Sequence, residues 1–313
     1  MLRVSAMVIC IIISCRSNSQ SPGLLSAIKA NDISLTRSLL EIGASLTEVD
    51  SDSDNVLMYA ALYSTPACME LLLSAGANPN LQNKFGETAL FWSVHDFEKA
   101  KLLLAHKASI NHKSKSGNTP LLVACVGNDQ DKIVRLLIEN GADCKVKNIS
   151  AINPLMQIAL YGDTSLASLF LQKGIGINDM KTGGENALFL ATKSLNKPMV
   201  SWLIQKGADV NLKDTYNSTV LAYAVVLNDV DLVKMIIPAT KNINEQDIDG
   251  MSNLMWATYS EYDNTDIIRV LLQAGASQTL KDKNGLTARG WAEKKGNTET
   301  VKLLLKAETE GIK

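Results

Sequence analysis

Three histidines, five cysteines and one run of alternating carboxylates are the residues of this 313-residue chain whose types could support catalysis or metal binding. His95, His106 and His112 fall close together. None is paired at the i, i+4 spacing that sets two imidazoles on one helix face, and no cysteine stands beside them, so they compose no zinc set. Cys68 and Cys125 lie in apolar helical runs, where a thiol serves as a small hydrophobe. A bridge between Cys125 and Cys144 is conceivable, but the cysteine spacings give no disulfide framework. Glu48, Asp50, Asp52 and Asp54 alternate as the ligands of a calcium loop do. The glycine at the sixth position and the glutamate at the twelfth are absent, which leaves a solvated acidic turn. There is no glycine-rich phosphate loop, nucleophile elbow or paired-carboxylate motif. With 31 basic and 32 acidic residues the net charge is −1, so charge draws the chain to no nucleic acid. These residues point to no catalysis, cofactor or metal.

The elements that would position any site are short and repeated. Residues 116–147 show the pattern. Gly117 sits in a turn that needs φ > 0. Thr119 caps a helix that Pro120 opens. A second helix carries Ile133, Val134, Leu136, Leu137 and Ile138, and Gly141 ends it. Such a unit cannot bury its own apolar face and needs copies on either side. Leu121 aligns with Leu57, Leu90, Leu155, Leu188, Leu221 and Leu254, at steps of 33, 31, 34, 33, 33 and 33 along the chain. The exit recurs as Gly43-Ala44, Gly76-Ala77, Gly141-Ala142, Gly207-Ala208 and Gly275-Ala276.

This period and content resemble the ankyrin repeat, through Thr119-Pro120-Leu121 and the exits Gly76-Ala77-Asn78-Pro79-Asn80 and Gly207-Ala208-Asp209-Val210-Asn211. The resemblance implies an all-α repeat solenoid of helix-turn-helix units with β-hairpin-like connecting loops, with nine repeats over residues 23–308. Residues 309–313 are expected to fray. The family's histidine after the Leu is replaced by Met58, Phe91, Leu122, Met156, Phe189, Ala222 and Met255, so apolar contact stands where that histidine's hydrogen bonds would be. The third repeat is two residues short after Val94-His95-Asp96, which predicts a tight inter-helix turn. The seventh has Pro238-Ala239-Thr240-Lys241 for the Gly-Ala exit. The eighth gains about two residues near 259–264. The ninth, with Arg289 at the Leu position, reads as a polar closing cap.

Ahead of the array, residues 1–14 have a short basic start and an apolar run too short to span a bilayer, the length of a signal-peptide core. The run ends Ile12-Ile13-Ser14-Cys15, which is similar to the lipobox of bacterial lipoproteins. That implies acylation at Cys15, with residues 15–22 as a tether. An ordinary signal peptide and an uncleaved anchor are the alternatives.

The resemblance also places a concave face on the hairpin tips and the ends of the first helices. Tyr63, His95, Tyr161 and Tyr259 fall at helix ends, and Phe85 and Tyr216 at tips. As interface residues they would form a partner-binding column; the alternative is packing against adjacent repeats. Tyr59, Trp92, Tyr223 and Trp256, two residues after each Leu, are assigned to the core. The exit asparagines Asn80, Asn111, Asn178, Asn211 and Asn244 are assigned to turn backbone. The basic tips Lys113, Lys115, Lys145 and Lys147 form a solvated edge. The expected protein is a monomeric, non-catalytic module that binds another protein, touches membrane only through an N-terminal lipid, and is exported to a bacterial periplasm or outer-membrane surface. A scaffold for a separate envelope enzyme and a cytoplasmic or effector adaptor are the other readings.

Overall fold

The computed structural model describes residues 23–127, 130–162, 164–259 and 265–310. The signal segment, the tether and Cys15 lie outside the described residues, as does most of the eighth repeat's insertion. Among the described residues, eighteen α-helices form nine consecutive pairs. The first helices are α1 (Leu24–Lys29), α3 (Val56–Tyr63), α5 (Ala89–Trp92), α7 (Pro120–Ala124), α9 (Pro154–Tyr161), α11 (Ala187–Lys193), α13 (Val220–Val226), α15 (Asn253–Tyr259) and α17 (Ala288–Lys295). Their partners are α2 (Ile33–Glu41), α4 (Pro66–Ser74), α6 (Phe97–Ala105), α8 (Asp131–Glu139), α10 (Thr164–Gln172), α12 (Lys197–Gln205), α14 (Val230–Ile236), α16 (Thr265–Gln273) and α18 (Thr298–Glu310).

Helices this short are marginal alone in water, so packing must hold them. Their starts are fixed locally. The side chains of Asn55, Thr119, Asn153, Asn186 and Thr287 cap first helices, and those of Asp32, Asp96, Asn196 and Asp229 cap second helices. Each first helix stacks on the next first helix and on its own partner. The first helices are therefore covered on most sides: α11 buries Ala187, Leu188, Phe189, Leu190, Ala191 and Thr192. The second helices keep a wet face; α8 buries only Ile133, Val134 and Leu137. The all-helical repeat solenoid expected from the sequence is what the chain forms. Its connecting loops are hairpin-like, with isolated antiparallel bridges at Val49–Asn55, Lys213–Thr219 and Gln246–Ser252.

A backbone hydrogen bond passes from each tip to the next. The amides of Lys84, Lys115, Ile149, Thr182, Thr215, Ile248 and Lys283 donate to the carbonyls of Asp52, Phe85, Ser116, Ser150, Gly183, Tyr216 and Asp249, at 2.9 to 3.2 Å. At the opposite margin the exit asparagines do more than brace their own turns. Asn80, Asn111, Asn211 and Asn244 each accept from one backbone amide of the next exit and donate to one of its carbonyls; the Asn111 bonds are 2.8 Å from Asp143 N and 3.1 Å to Gly141 O. Side chains at or just before the start of second helices also reach back to first-helix carbonyls. Lys99, almost fully buried, donates to Ala61 O at 2.8 Å, and Asn297 to Thr258 O at 3.0 Å.

Three local expectations are revised. The short third repeat keeps its second helix and loses first helix instead, so that α5 has four residues. At the seventh exit α14 runs on into a 3-10 turn, Ile237–Ala239, and the Thr240 hydroxyl donates to Ile236 O at 3.1 Å. A hydroxyl and a tightened turn thus satisfy carbonyls that a glycine exit would otherwise serve. At the end of the chain α18 reaches Glu310, two residues past the expected boundary, with the Thr309 hydroxyl bonded to Leu305 O at 3.2 Å. The Arg289 cap forms an ion pair with Glu308 at 2.7 Å.

The tip turn demands a left-handed residue. Where glycine fills it, as at Gly184, φ is +79° and an added Cβ would stand 2.8 Å from Asp214 Cα of the next tip. Ala151 fills the equivalent position at φ +57°. Ala151→Gly should therefore stabilise the array by about 1 kcal/mol, and Gly184→Ala should destabilise it by at least that much, read from chemical denaturation. Equal and opposite neutrality of the two would contradict the tip geometry. The tip carboxylates add a pH term. Asp50 and Asp282 are held below the usual carboxylate range; burial opposes this, but the amide donors of Asp54 and Leu286 outweigh it. Asp54, by contrast, is pushed up by burial. Groups lowered by folding stabilise above their unfolded values, and that contribution disappears as pH falls through the folded ones. The melting temperature should drop on acidification below about pH 4.

Candidate binding face

The aromatics two positions after each Leu are not simply core. Tyr59, Tyr223, Trp256 and Trp291 are half-buried, and each sends its polar atom to the tip aspartate nine residues earlier. The distances are 3.1 Å for Tyr59 to Asp50, 2.6 Å for Tyr223 to Asp214, 2.8 Å for Trp256 to Asp247 and 3.0 Å for Trp291 to Asp282. The other oxygen of each aspartate accepts two tip amides, as Asp214 does from Tyr216 and Ser218 at 2.9 Å. One carboxylate thus shapes the tip and ties it to the helix layer. Burial, then the Asp50 bond, pushes the Tyr59 phenol up to about 12. The positions where the family has its histidine, from Met58 to Met255, are buried and apolar as expected.

Trp92 is the exception that explains the rule. Its tip residue is Asn83, whose carbonyl oxygen already takes the Phe85 and Glu87 amides and whose amide nitrogen faces Asp54 at 2.8 Å. No acceptor is left, and the Trp92 indole N–H is buried without a partner. In the sixth pair Lys181 replaces the aspartate and Leu190 the aromatic; there Glu185, buried between Lys181 and Lys193, carries the polar link. Burial raises the Glu185 carboxyl, but the two ammonium groups outweigh it and hold the group below its ordinary value.

The six candidate partner-binding residues occupy two rows, about 11 Å apart along a first helix. In the tip row Phe85 is 49% exposed, with the Lys84 ammonium 5.1 Å from its ring centre, and Tyr216 is 62% exposed. In the helix-end row Tyr161 is 51% exposed and lines a cleft of about 570 Å³ with Leu160, Thr164, Asn196 and Met199. His95 is exposed, with its Nδ1 3.2 Å from Gln130 of the next unit. Tyr63 is half-buried, its ring 5.6 Å from that of Tyr59 and beneath the Lys29 ammonium. Tyr259 stands edge-on to Trp256 at 5.7 Å and Trp291 at 5.0 Å, with the Lys295 ammonium 4.0 Å from its ring centre. The structure therefore brings Tyr216 and Tyr161 to open hollows and sets Tyr63 and Tyr259 against neighbouring aromatics.

A hollow that the sequence did not single out lies at Tyr216. It holds about 310 Å³ between the tips and first helices of the seventh and eighth pairs, lined by Tyr216, Tyr223, Val226, Ile248, Asp249 and Trp256 among others. The remaining reactive types are occupied or inert. Among the described residues no three His, Cys, Asp or Glu side chains are placed to hold a metal ion. His112 Nε2 is 2.9 Å from Gly86 O. Cys68, Cys125 and Cys144 are free thiols, and burial pushes those of Cys125 and Cys144 up. In the acidic turn Asp50 takes the amides of Asp52 and Asp54, and Asp52 pairs with Lys84. No described helix is long and apolar enough to cross a membrane.

Three copies of the family model "Ankyrin repeats" match the chain, at residues 57–148, 155–247 and 221–312. Over 288 residues the chain is 26% identical to the human transient receptor potential cation channel subfamily A member 1, an alignment covering 77% of this chain and 26% of the channel. It is 30% identical over 213 residues to an L-asparaginase of Dirofilaria immitis (68% and 31%) and 28% identical over 205 residues to the mouse B-cell lymphoma 3 protein homologue (63% and 46%). The chain thus spans between about a quarter and a half of these relatives' lengths. With the model matching most of its length and the helix pairs stacked throughout, the chain belongs to the ankyrin-repeat family and is a protein–protein interaction module.

Proposed function

We propose that this module is non-catalytic, is held at a bacterial envelope by a lipid on Cys15, and grips another protein with its tip-and-helix face. The observation that carries the binding face is a set of large apolar side chains left exposed on the second, third, fifth, seventh and eighth units. Leu62, Phe85, Tyr161, Tyr216, Val226 and Ile248 are each 45% to 62% exposed. Clustered exposed apolar surface beside polar rims marks interaction sites, and the tip-to-tip bonds fix the backbone beneath it. Aromatic side chains on a fixed backbone lose little entropy on binding, which favours them as anchors.

The partner is sought by affinity purification from envelope fractions with mass spectrometry. Tyr161→Ala and Tyr216→Ala should each weaken that complex by about 1–3 kcal/mol while leaving thermal melting unchanged. A partner retained at full affinity by both variants, and by Phe85→Ser, rules this face out.

The envelope assignment rests on Ile12-Ile13-Ser14-Cys15 behind an apolar run too short to anchor the protein by itself. Two or more acyl chains give stable anchoring where one is marginal. The native protein should label with a fatty-acid analogue and partition into detergent, and Cys15→Ser should abolish both. A soluble wild type beginning after Cys15, or a Cys15→Ser protein still in the membrane with its N-terminus intact, defeats the lipid assignment and leaves the module untouched.

A further inference from the structure

We infer that the hollow between the seventh and eighth pairs receives an arginine side chain from a partner polypeptide. This rests on the reading of the array as a protein-binding module and names the chemistry that one of its subsites selects. The walls are aromatic and aliphatic: Tyr216, Tyr223, Val226, Ile248 and Trp256. Asp247 and Asp249 supply carboxylates, and no lysine or arginine lines the space.

The two carboxylates are in different states. Asp247 is engaged, accepting the amides of Asp249 and Met251 and the Trp256 indole at 2.8 Å. Asp249 is exposed, and among the described residues its carboxylate makes no hydrogen bond or ion pair. The basic side chains of the adjoining tips make no ion pair with it. Lys213 is paired with Glu245 at 2.5 Å, and Lys283, whose backbone bonds to Asp249 O, makes no ion pair with it. Tyr216, Val226 and Ile248 stand 62%, 55% and 45% exposed around this free charge.

An apolar hollow with one unpaired anion at its rim is complementary to an apolar stem that ends in a cation. Arginine fits better than lysine because its planar guanidinium stacks on an aromatic face and meets a carboxylate through two N–H groups. The space, about 310 Å³, lies at the small end of ligand pockets and suits one large side chain rather than a cofactor. The flanking exposed aliphatics select apolar neighbours for the arginine.

The test pans a random dodecapeptide phage library on the full chain. The expected yield is peptides sharing an arginine flanked by aliphatic or aromatic residues. Binding of those peptides should weaken about fivefold on Asp249→Asn and about tenfold on Tyr216→Ala, and should fall with rising salt. Both replaced side chains are exposed, and unchanged melting of the variants verifies the fold. Selected peptides without a basic anchor, peptides that bind both variants like the wild type, or an empty selection each overturn the inference. Non-basic peptides released by Phe85→Ser or Tyr161→Ala would do so while leaving the binding-module reading intact.

Discussion

The structure depends on one backbone hydrogen bond repeated from tip to tip. Each helix pair has an apolar face it cannot cover alone, so units must stack, and stacking by itself leaves adjacent layers free to slide. The amide of one tip donating to the carbonyl of the tip before it removes that freedom, because main-chain groups cannot change rotamer. The exit asparagines repeat the constraint at the other margin, Asn80, Asn111, Asn211 and Asn244 each pinned to both a donor and an acceptor of the next unit. Side chains such as Lys99 and Asn297 close a third seam by satisfying helix-end carbonyls that would otherwise be unpaired. Hydrophobic burial brings the layers together; these bonds set their spacing and rotation.

Each seam demands something different of the sequence. The tip bond uses only backbone, so tips as unlike as Ser51-Asp52-Ser53 and Thr182-Gly183-Gly184 both make it. What every tip has is a left-handed residue, and most add a side-chain acceptor for their own amides, an aspartate at 50, 214, 247 and 282 and an asparagine at 83 and 148. The aspartate's spare oxygen then recruits a tyrosine or tryptophan from the first helix. Trp92 shows the coupling by its failure: with Asn83 in place of aspartate its N–H is left buried and unpaired. A carboxylate at that position would stand beside Asp54, whose own carboxyl burial already raises, so the asparagine relieves a charge conflict at the expense of one hydrogen bond.

Because the frame is made of main chain and buried side chains, the exposed positions are free to vary, and function resides there. The tip edge is not uniform. Lys113, Lys115 and Lys145 stand along its middle together with the exposed Ile149, and Tyr216, Ile248 and Asp249 line the hollow of the seventh and eighth units. Among the described residues, the cysteines and histidines, the types with the most chemical potential, are spent on packing and on bonds between units. The surface that remains suits recognition through shape, apolar contact and local charge.

The sequence alone determined the period, the helix pairs and their exits. These depend on features within one turn or one unit: a Leu column, a capping Thr or Asn, a glycine in the left-handed region. The aspartate–aromatic link was also written in it, as a nine-residue spacing at 50 and 59, 214 and 223, 247 and 256, and 282 and 291, but it reads as core until the polar atoms are seen to face the tip. Only the tertiary structure decided contacts between units. Tyr259 and Tyr161 both end their first helices, one position apart in the repeat; Tyr259 packs against Trp291 of the following unit while Tyr161 opens onto a cleft. The hollow at Tyr216 likewise needs Ile248 and Asp249 from the next tip. Such environments are set by residues some thirty positions away, brought near by stacking, and no periodicity within a single unit encodes them.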